Sequence, residues 1–419
     1  VELSHPVEYV RTFKAGAVWI GLAILFQSTR EGCRSIDKRG WTMPYSMGDF
    51  KITDRMMRYS VFIPRFYNLC KSYGFEKGRI MPSRAFCSDE NQGFPIILIT
   101  KHFGAFPFNH GMVGGIVATD RHGPHAHHGK DLVIVQASHV GYEPETGQFG
   151  IYRRVQVEDL SHTSSCGKIF GVMGWYLKEY EFAQKNITFT MIGEEAAVVI
   201  DNLLLNQDRD AGIFLHLDRF VAMEAGSIPA PLNVFSTAKA FRVNHDLKNS
   251  LPKSFWQTDR RVPVGGKLSA DLFYYKKRVS EALEGRDQLE RNLSHSMPMI
   301  VTSAFPALAA AQANTQIEFD RAYRTIIIEE EYHGKNLAFI AGINIDISPQ
   351  RGQLFPLTKF VPWAAYIQTR DGKTFLMEQE ELVAALFAQS AENPDKIEMS
   401  NAIHAMEGTQ EIKIELEVT

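Results

Sequence analysis

The sequence predicts an α/β fold built on a mainly parallel sheet with helices on both of its faces. Short apolar segments rich in β-branched residues follow one another through the middle of the chain, and longer segments with helical spacing separate them. Strands that are apolar on both faces are typical of parallel sheets, because helices cover both sides. The predicted strands are residues 94–100, 131–137, 186–192 and 212–217, with a helix from Ser164 to about Ala183 between the second and the third.

The N-terminal region differs in pattern from this middle part. Residues 1–75 are predicted to be helical, because residues 53–75 carry apolar side chains near helical spacing. The longest apolar segment, residues 15–26, is about half of the ~20 residues that cross a bilayer. We therefore expect a buried helix there.

The C-terminal part is predicted to add a helix and an antiparallel β extension. Gly334 and the pair Asp371-Gly372 are hairpin signals between its strands. Helices are expected over 266–292 and 380–391, and strands over 325–332, 337–347, 360–369, 374–379 and 411–418. The chain then divides into a helical N-terminal region (1–75), an α/β core (76–242) and this extension (243–419).

The composition excludes several classes of partner. The 419 residues include 45 basic and 48 acidic side chains, and these are interspersed, so we expect neither nucleic acid nor membrane insertion. Four scattered cysteines do not form a disulfide framework, which indicates a reducing compartment. We expect a soluble protein of the cytoplasm or an organelle matrix, and the start at Val1 leaves room for a targeting segment before it.

Histidine and cysteine are concentrated in one stretch, which indicates a metal site. Cys87 and Cys166 bracket eight of the fourteen histidines. His139 follows a predicted strand, and Cys166 lies in the first turn of a predicted helix capped by Ser164 or Ser165, where a thiolate is stabilised. Thiolate and imidazole are ligands that zinc prefers, and three ligands with one open position are typical of catalytic zinc. The eight histidines are His102, His110, His122, His125, His127, His128, His139 and His162.

A rival metal site is the cluster formed by His122, His125, His127 and His128. Adjacent histidines diverge in an extended chain, and a Gly-Pro pair precedes them, so we interpret this cluster as an exposed loop able to carry protons.

The order of five motifs resembles the limiting-CO2-inducible protein B/C (LCIB/LCIC) family, whose active members are theta-class carbonic anhydrases. The motifs are CSDE, FPFNHGMVGGIVAT, SHVGY, Gly150-x-x-x-Arg154 and SSCG, within residues 85–175. The resemblance implies a β-carbonic-anhydrase-like fold with Cys87, His139 and Cys166 as ligands of Zn²⁺. It implies Asp89 as the carboxylate of an Asp/Arg pair, with Arg154 as its arginine and Arg153 as the substitute candidate.

The activity that the resemblance implies is carbonic anhydrase (carbonate dehydratase, a lyase). A metal-bound hydroxide would attack CO2 reversibly to give bicarbonate, in a homodimer or higher homo-oligomer. An apolar pocket for CO2 could be lined by Phe103, Phe106, Phe108, Val113 and Ile116, although such residues are more often core.

Two other functions stay open at this point. The first is a non-catalytic family member that acts as a CO2/bicarbonate-binding or regulatory subunit. The second is a thiol hydrolase with Cys87 as nucleophile and His139 as base.

Overall fold

The computed structural model describes residues 50–118, 131–154, 161–277, 288–350, 352–353 and 357–409. The strands are β1 (Met57–Arg58), β2 (Ile80–Ala85), β3 (Phe108–Asn109), β4 (Gly111–Met112), β5 (Ile116–Val117), β6 (Asp131–Glu143), β7 (Gln148–Phe149), β8 (Ile151–Arg153), β9 (His162–Ser164), β10 (Ile187–Ile192), β11 (Glu195–Asp201), β12 (Gly212–Leu215), β13 (Asn233–Val234), β14 (Ala238–Arg242), β15 (Val262–Pro263), β16 (Phe273–Lys276), β17 (Leu337–Ile347), β18 (Leu357–Gln368) and β19 (Thr374–Met377). The helices are α1 (Tyr59–Ser72), α2 (Gly93–Phe103), α3 (Gly167–Asn186), α4 (Asn202–Leu205), α5 (Leu217–Phe220), α6 (His245–Ser250), α7 (Gln288–Ser294), α8 (Met297–Thr302), α9 (Pro306–Ile328), α10 (Gln379–Phe387) and α11 (Met399–Glu407).

A mixed, mainly parallel sheet forms the centre of the fold, in agreement with the predicted α/β class. Its strand order is β1-β18-β17-β6-β2-β3, with β7 paired to β6 and β19 paired to β18. The strands β3, β2, β6 and β17 are parallel to one another, and β18 closes this set with an antiparallel pairing to β17. The longest strands, β6 and β17, therefore lie side by side in the interior of the sheet.

Both faces of this sheet are buried under helices, which explains the continuous apolar runs of β6 and β17. Val133, Val135 and Ala137 pack with α1, α2 and α10 on one face. Leu132 and Ile134 pack with α9 on the other face. Successive side chains of a strand point to opposite faces, so a strand covered on both sides is apolar at every position.

The prediction of a strand over 94–100 is wrong, because these residues form α2. An apolar run of seven residues fits a buried helix as well as a buried strand. Pro95 is tolerated in the first turn of a helix, and Gly104 ends this one with a left-handed φ of 77°.

The prediction of a strand over 325–332 is also wrong. Thr325 to Ile328 are the last residues of α9, whose alanine-rich first half favours a helix strongly enough to continue through the β-branched end. The expected helix over 266–292 is wrong over 273–276, where β16 pairs with β12; residues 278–287 lie outside the described residues, and residues 288–292 are helical, within α7.

The predicted strand 337–347 is confirmed as β17, but its placement differs from the expectation. It pairs in parallel with β6 and antiparallel with β18, so it belongs to the central sheet. The predicted strand 186–192 is confirmed as β10, but it belongs to a separate antiparallel sheet of order β13-β14-β11-β10-β15.

Several expectations fall outside the described residues. These are the helix over 15–26, the strand over 411–418 and the loop of His122, His125, His127 and His128. Of the helices in the described ranges, none has the length and apolar character needed to cross a bilayer.

Candidate metal centre

The structure brings Cys87, His139 and Cys166 together at one buried point. Their ligand atoms all lie within 4.8 Å of one another, and all three residues are buried. Cys87 lies two residues beyond the end of β2, His139 lies in the second half of β6, and Cys166 immediately precedes α3. Three residues separated by 52 and 27 positions thus converge because two parallel neighbouring strands and one helix end meet there.

His139 and Cys166 differ in detail from the sequence-based expectation. His139 lies inside β6 and not beyond its end, because the strand continues to Glu143. Cys166 precedes the first turn of α3 and adopts a left-handed backbone with φ 60° and ψ 73°. This conformation costs a residue with a side chain roughly 1–2 kcal/mol, and such outliers are often functional positions.

The loop of residues 111–117, here called the glycine loop, lies against Cys87. The N–H of Gly114 donates a hydrogen bond to the sulfur of Cys87 at 3.2 Å. Gly115 has a φ of 77°, and a Cβ atom there would lie 2.5 Å from the carbonyl oxygen of Ala137. Only glycine allows this close approach at position 115. The Gly114-Gly115 pair thus lets the loop direct the N–H of Gly114 at the sulfur of Cys87.

Asp346 orients the imidazole of His139. The two side chains project from neighbouring parallel strands, and Nδ1 of His139 lies 2.9 Å from Oδ2 of Asp346. The other ring nitrogen, Nε2, is buried and has no hydrogen-bond partner among the described residues. With Nδ1–H donating to the carboxylate, Nε2 is the ring nitrogen that can bind a cation once it has lost its own proton.

Further side chains satisfy the buried Asp346 carboxylate. The side-chain amide of Gln92 donates to both of its oxygens at 3.1 and 3.2 Å, and the hydroxyl of Thr358 donates to Oδ1 at 2.9 Å. Asn344 donates to Gln92 at 2.6 Å and accepts from the hydroxyl of Tyr59 at 2.6 Å. This network lies at the centre of the protein and holds Asp346 in one orientation.

Sequence reasoning missed Asp346, although one signal was available. Asp346 is the only ionisable residue in the apolar strand 337–347. A carboxylate in a strand buried on both faces requires a partner, and this requirement makes it a candidate for a site.

Asp89 and Arg154 lie beside the three grouped residues. Oδ2 of Asp89 lies 4.0 Å from Nε2 of His139, and its Oδ1 lies 3.8 Å from Nη2 of Arg154. Arg154 also pairs with Glu90, and its Nε donates to the hydroxyl of Thr163 at 2.9 Å. Two acidic partners and Thr163 fix the guanidinium near the site.

Arg153, the substitute candidate, lies elsewhere. Its guanidinium pairs with Glu143 at 3.4 Å and with Glu145 at 3.0 Å. Neighbouring residues of an extended chain point in opposite directions, which explains why one of the two adjacent arginines reaches Asp89.

The pKa values of Cys87, Cys166 and His139 are shifted by the contacts of these residues with one another. The pKa of Cys87 is lowered to about 4, because the thiol of Cys166 donates a hydrogen bond to its sulfur and because His139 and the N–H of Gly114 stabilise the thiolate. The hydrogen bond with Cys87 raises the pKa of Cys166, and burial raises it further. Burial opposes a charge on His139, but the nearby Cys166 sulfur and the Asp346 carboxylate together raise its pKa.

The residues present fit a zinc ion. Two thiolates and one imidazole nitrogen form a donor set that zinc accepts, and no fourth histidine, cysteine or carboxylate of the described residues belongs to the group. The buried Nε2 of His139 has no partner there, and its Nδ1 is held by a carboxylate, as is usual for a metal-binding histidine. Cys87, His139 and Cys166 would therefore hold the metal.

The other described histidines of the cluster do not join this group. His102 contacts Asn393, His110 contacts Ser83, and His162 contacts Glu143. Of the expected pocket residues, Ile116 belongs to the apolar cluster that contains Cys87 and Cys166, whereas Phe103 packs with α1. Phe106, Phe108 and Val113 are exposed.

Comparison with solved structures finds proteins to which this chain is similar. They include a mutant of PtLCIB4, a homolog of the limiting CO2-inducible protein LCIB (10% identity, TM-score 0.42, covering 76% of this chain and 93% of that chain). They also include LCIB itself (12% identity, TM-score 0.40, 78% and 96%) and PtLCIB4 (14% identity, TM-score 0.38, 78% and 95%). These names belong to the family that the sequence motifs resemble.

No family model matches the chain, and no curated protein matches its sequence. Because the sequence identities and TM-scores are low, the function proposed for this chain depends on its own residues.

We expect glycine to be better tolerated than alanine at position 166. Cys166→Gly relieves the left-handed backbone, so its free energy of unfolding should exceed that of Cys166→Ala by about 1 kcal/mol, measured with urea on metal-free protein. The same pair of substitutions at Lys168, inside α3, is the control and should show the opposite order. If alanine is the more stable residue at both positions, position 166 is not strained.

Metal binding should release protons, and the apparent affinity should therefore rise with pH. The pKa values of His139 and Cys166 are raised, so the protonated forms of both are favoured in the metal-free protein, whereas the pKa of Cys87 is lowered to about 4. An ion that displaces the first two protons releases about two per binding event. Titration calorimetry in buffers of different ionisation enthalpy measures this number, and Cys70→Ser, which changes a buried cysteine outside the site, should leave it unchanged. Zinc binding without proton release would contradict the assignment.

Asp346→Asn should lower the affinity for zinc about 10- to 100-fold, because the amide no longer fixes the tautomer and basicity of His139. Asp131→Asn is the matched control: Asp131 is equally buried, at the start of β6, where Asn336 and Arg370 contact it. Competition with a chromophoric chelator measures both affinities. An equal loss in the two variants would show that Asp346 has only a structural role.

Proposed function

We propose that this protein is a zinc-dependent carbonic anhydrase of the LCIB/LCIC family, which catalyses the reversible hydration of CO2 to bicarbonate. The observation that carries this proposal is the meeting of Cys87, His139 and Cys166 beside Asp89, within reach of Arg154. Zinc held by the first three residues supplies a Lewis acid that allows water to lose a proton near neutral pH.

Asp89 is the residue that would orient the reacting water. Its side chain is about one-tenth exposed, and Oδ1 has no hydrogen-bond donor among the described residues. The other oxygen, Oδ2, lies 4.0 Å from Nε2 of His139, so the carboxylate can accept a hydrogen bond from water on that side. The accepted hydrogen bond leaves a lone pair of the water directed toward CO2.

Arg154 would hold Asp89 in place through an ion pair. Its guanidinium lies over the ring of Tyr152 at 5.2 Å, and Tyr152 in turn donates a hydrogen bond to Asn91. The arginine is thus fixed by an ion pair, a hydrogen bond and a ring contact, so little reorganisation is needed during the reaction.

The surroundings of the two sulfur atoms are apolar, which suits CO2. Ile116, Val140 and Ile169 belong to the apolar cluster that contains Cys87 and Cys166. An uncharged substrate enters such a region readily, whereas bicarbonate, the charged product, is disfavoured there and leaves.

A second candidate function is that of a thiol hydrolase, and the position of Asp346 favours it. Cys87, His139 and Asp346 follow the order of a nucleophile, a base and the group that orients the base. Two observations oppose this function: the sulfur of Cys166 lies beside Cys87, and Cys87 is 4% exposed.

The test is stopped-flow CO2 hydration on protein whose zinc content is quantified. We expect one zinc per chain and measurable hydration, loss of both in Cys166→Ser, and retained zinc with activity lowered at least ~100-fold in Asp89→Asn. Cys70→Ser, which changes another buried cysteine, is the control and should keep zinc and activity.

Each contrary result identifies another function. One zinc per chain without hydration would indicate a non-catalytic, CO2- or bicarbonate-binding or regulatory subunit. Activity that survives complete removal of zinc but is lost on alkylation of Cys87 would indicate the thiol hydrolase. The implied homodimer and the compartment stay predictions.

A further inference from the structure

A buried polar cluster on α9 and α7 contacts the glycine loop. Its members are fully buried or partly buried residues of α9 and α7 that neither bind the metal nor contact Asp89. They are Asn314, Glu318, Arg321 and Asn292.

Asn314 connects the glycine loop to β6. Its side-chain amide donates to the carbonyl oxygen of Gly114 at 3.2 Å and to the hydroxyl of Ser138 at 2.9 Å. Gly114 is the residue whose N–H donates to the sulfur of Cys87, and Ser138 immediately precedes His139. One buried side chain therefore fixes the loop that touches one ligand relative to the strand that carries another.

Glu318 and Arg321 hold the other end of the loop. Oε2 of Glu318 accepts a hydrogen bond from the N–H of Val117 at 2.7 Å, and Arg321 donates to the carbonyl oxygen of Val117. Arg321 also pairs with Glu318 at 2.7 Å, so the carboxylate has a countercharge.

The side chain of Asn292, in α7, connects Asn314 to Glu318. Its amide donates to Oδ1 of Asn314 at 2.8 Å and to Oε1 of Glu318 at 2.7 Å. A carboxylate and two amides in a helix interface are costly to bury unless each hydrogen bond forms, and apolar residues pack such an interface at lower cost. The cluster thus specifies the position of the loop more than it stabilises the fold.

We infer that Asn314 is a positioning residue, which, together with Glu318, holds the glycine loop so that the N–H of Gly114 is directed at the sulfur of Cys87. This inference rests on the proposed function for its catalytic meaning. A hydrogen bond to a thiolate withdraws electron density from sulfur, so the metal receives less charge and acidifies water more strongly.

The first measurement needs no metal. In Asn314→Leu the amide of Gly114 should exchange its hydrogen at least ~5-fold faster, since one lost hydrogen bond of about 1 kcal/mol has this effect. Gln312→Met is the matched control: Gln312 is also a buried amide of α9, and it donates to the carbonyl oxygen of Phe50 at 2.9 Å. It should leave the exchange of Gly114 unchanged.

The second measurement uses cobalt(II) in place of zinc. The sulfur-to-cobalt charge-transfer band should shift to lower energy in Asn314→Leu, because a thiolate without its N–H donor gives electrons more readily. Gln312→Met should keep the wild-type band. Glu318→Gln keeps an acceptor for Val117 but loses its charge, and it should change both readouts in the same direction by a smaller amount.

The outcomes separate this inference from the proposed function. Wild-type exchange at Gly114 and a wild-type band in Asn314→Leu would overturn the inference. If Asn314→Leu does not fold, Glu318→Gln decides: an unchanged Gly114 exchange rate in it overturns the inference, and a faster one supports it. Failure of the wild-type protein to bind cobalt or hydrate CO2 overturns the proposed function, while the exchange of Gly114 still tests the positioning role.

Discussion

The parallel pairing of β6 with β17 is the constraint on which the site depends. In this register His139 lies opposite Asn344, and Asp346 lies two residues further along the neighbouring strand. Their side chains are then close enough for the hydrogen bond of 2.9 Å that turns Nε2 of the imidazole toward Cys87 and Cys166. A register shift of one residue would direct these side chains to the opposite face of the sheet.

The polar groups at this point are buried in a sheet that is otherwise apolar, and this arrangement requires complete hydrogen bonding. Asp346 accepts from His139, Gln92 and Thr358, and Asn344 and Tyr59 extend the network. Removal of one member leaves another buried and unsatisfied, which costs about 1–3 kcal/mol. The network therefore makes the orientation of His139 specific, and it does so at a cost that apolar residues would not incur.

Residues on the two faces of the central sheet thus position the candidate metal ligands in different ways. The network of Asp346 orients the histidine, while α9 anchors the glycine loop that contacts Cys87. Cys166 is placed by a third element, the start of α3, and its backbone there adopts an unfavourable left-handed conformation. The convergence of three elements explains why the ligands have no short, regular spacing in the sequence.

The sequence by itself determined the α/β class, the strands β6, β17 and β18, and the candidate metal ligands Cys87, His139 and Cys166, whereas Asp89 and Arg154 became candidates as a pair through the resemblance of the motifs to the LCIB/LCIC family. Continuous apolar runs and the chemistry of thiol, imidazole and carboxylate groups are local properties, so a single chain displays them. The tertiary structure alone decided that residues 94–100 form a helix, that β17 lies beside β6, and that Arg154 rather than Arg153 faces Asp89. It also revealed Asp346, more than 200 residues from its partner His139. Strand order and side-chain partners depend on contacts between distant segments, and no local pattern encodes the free energy of those contacts.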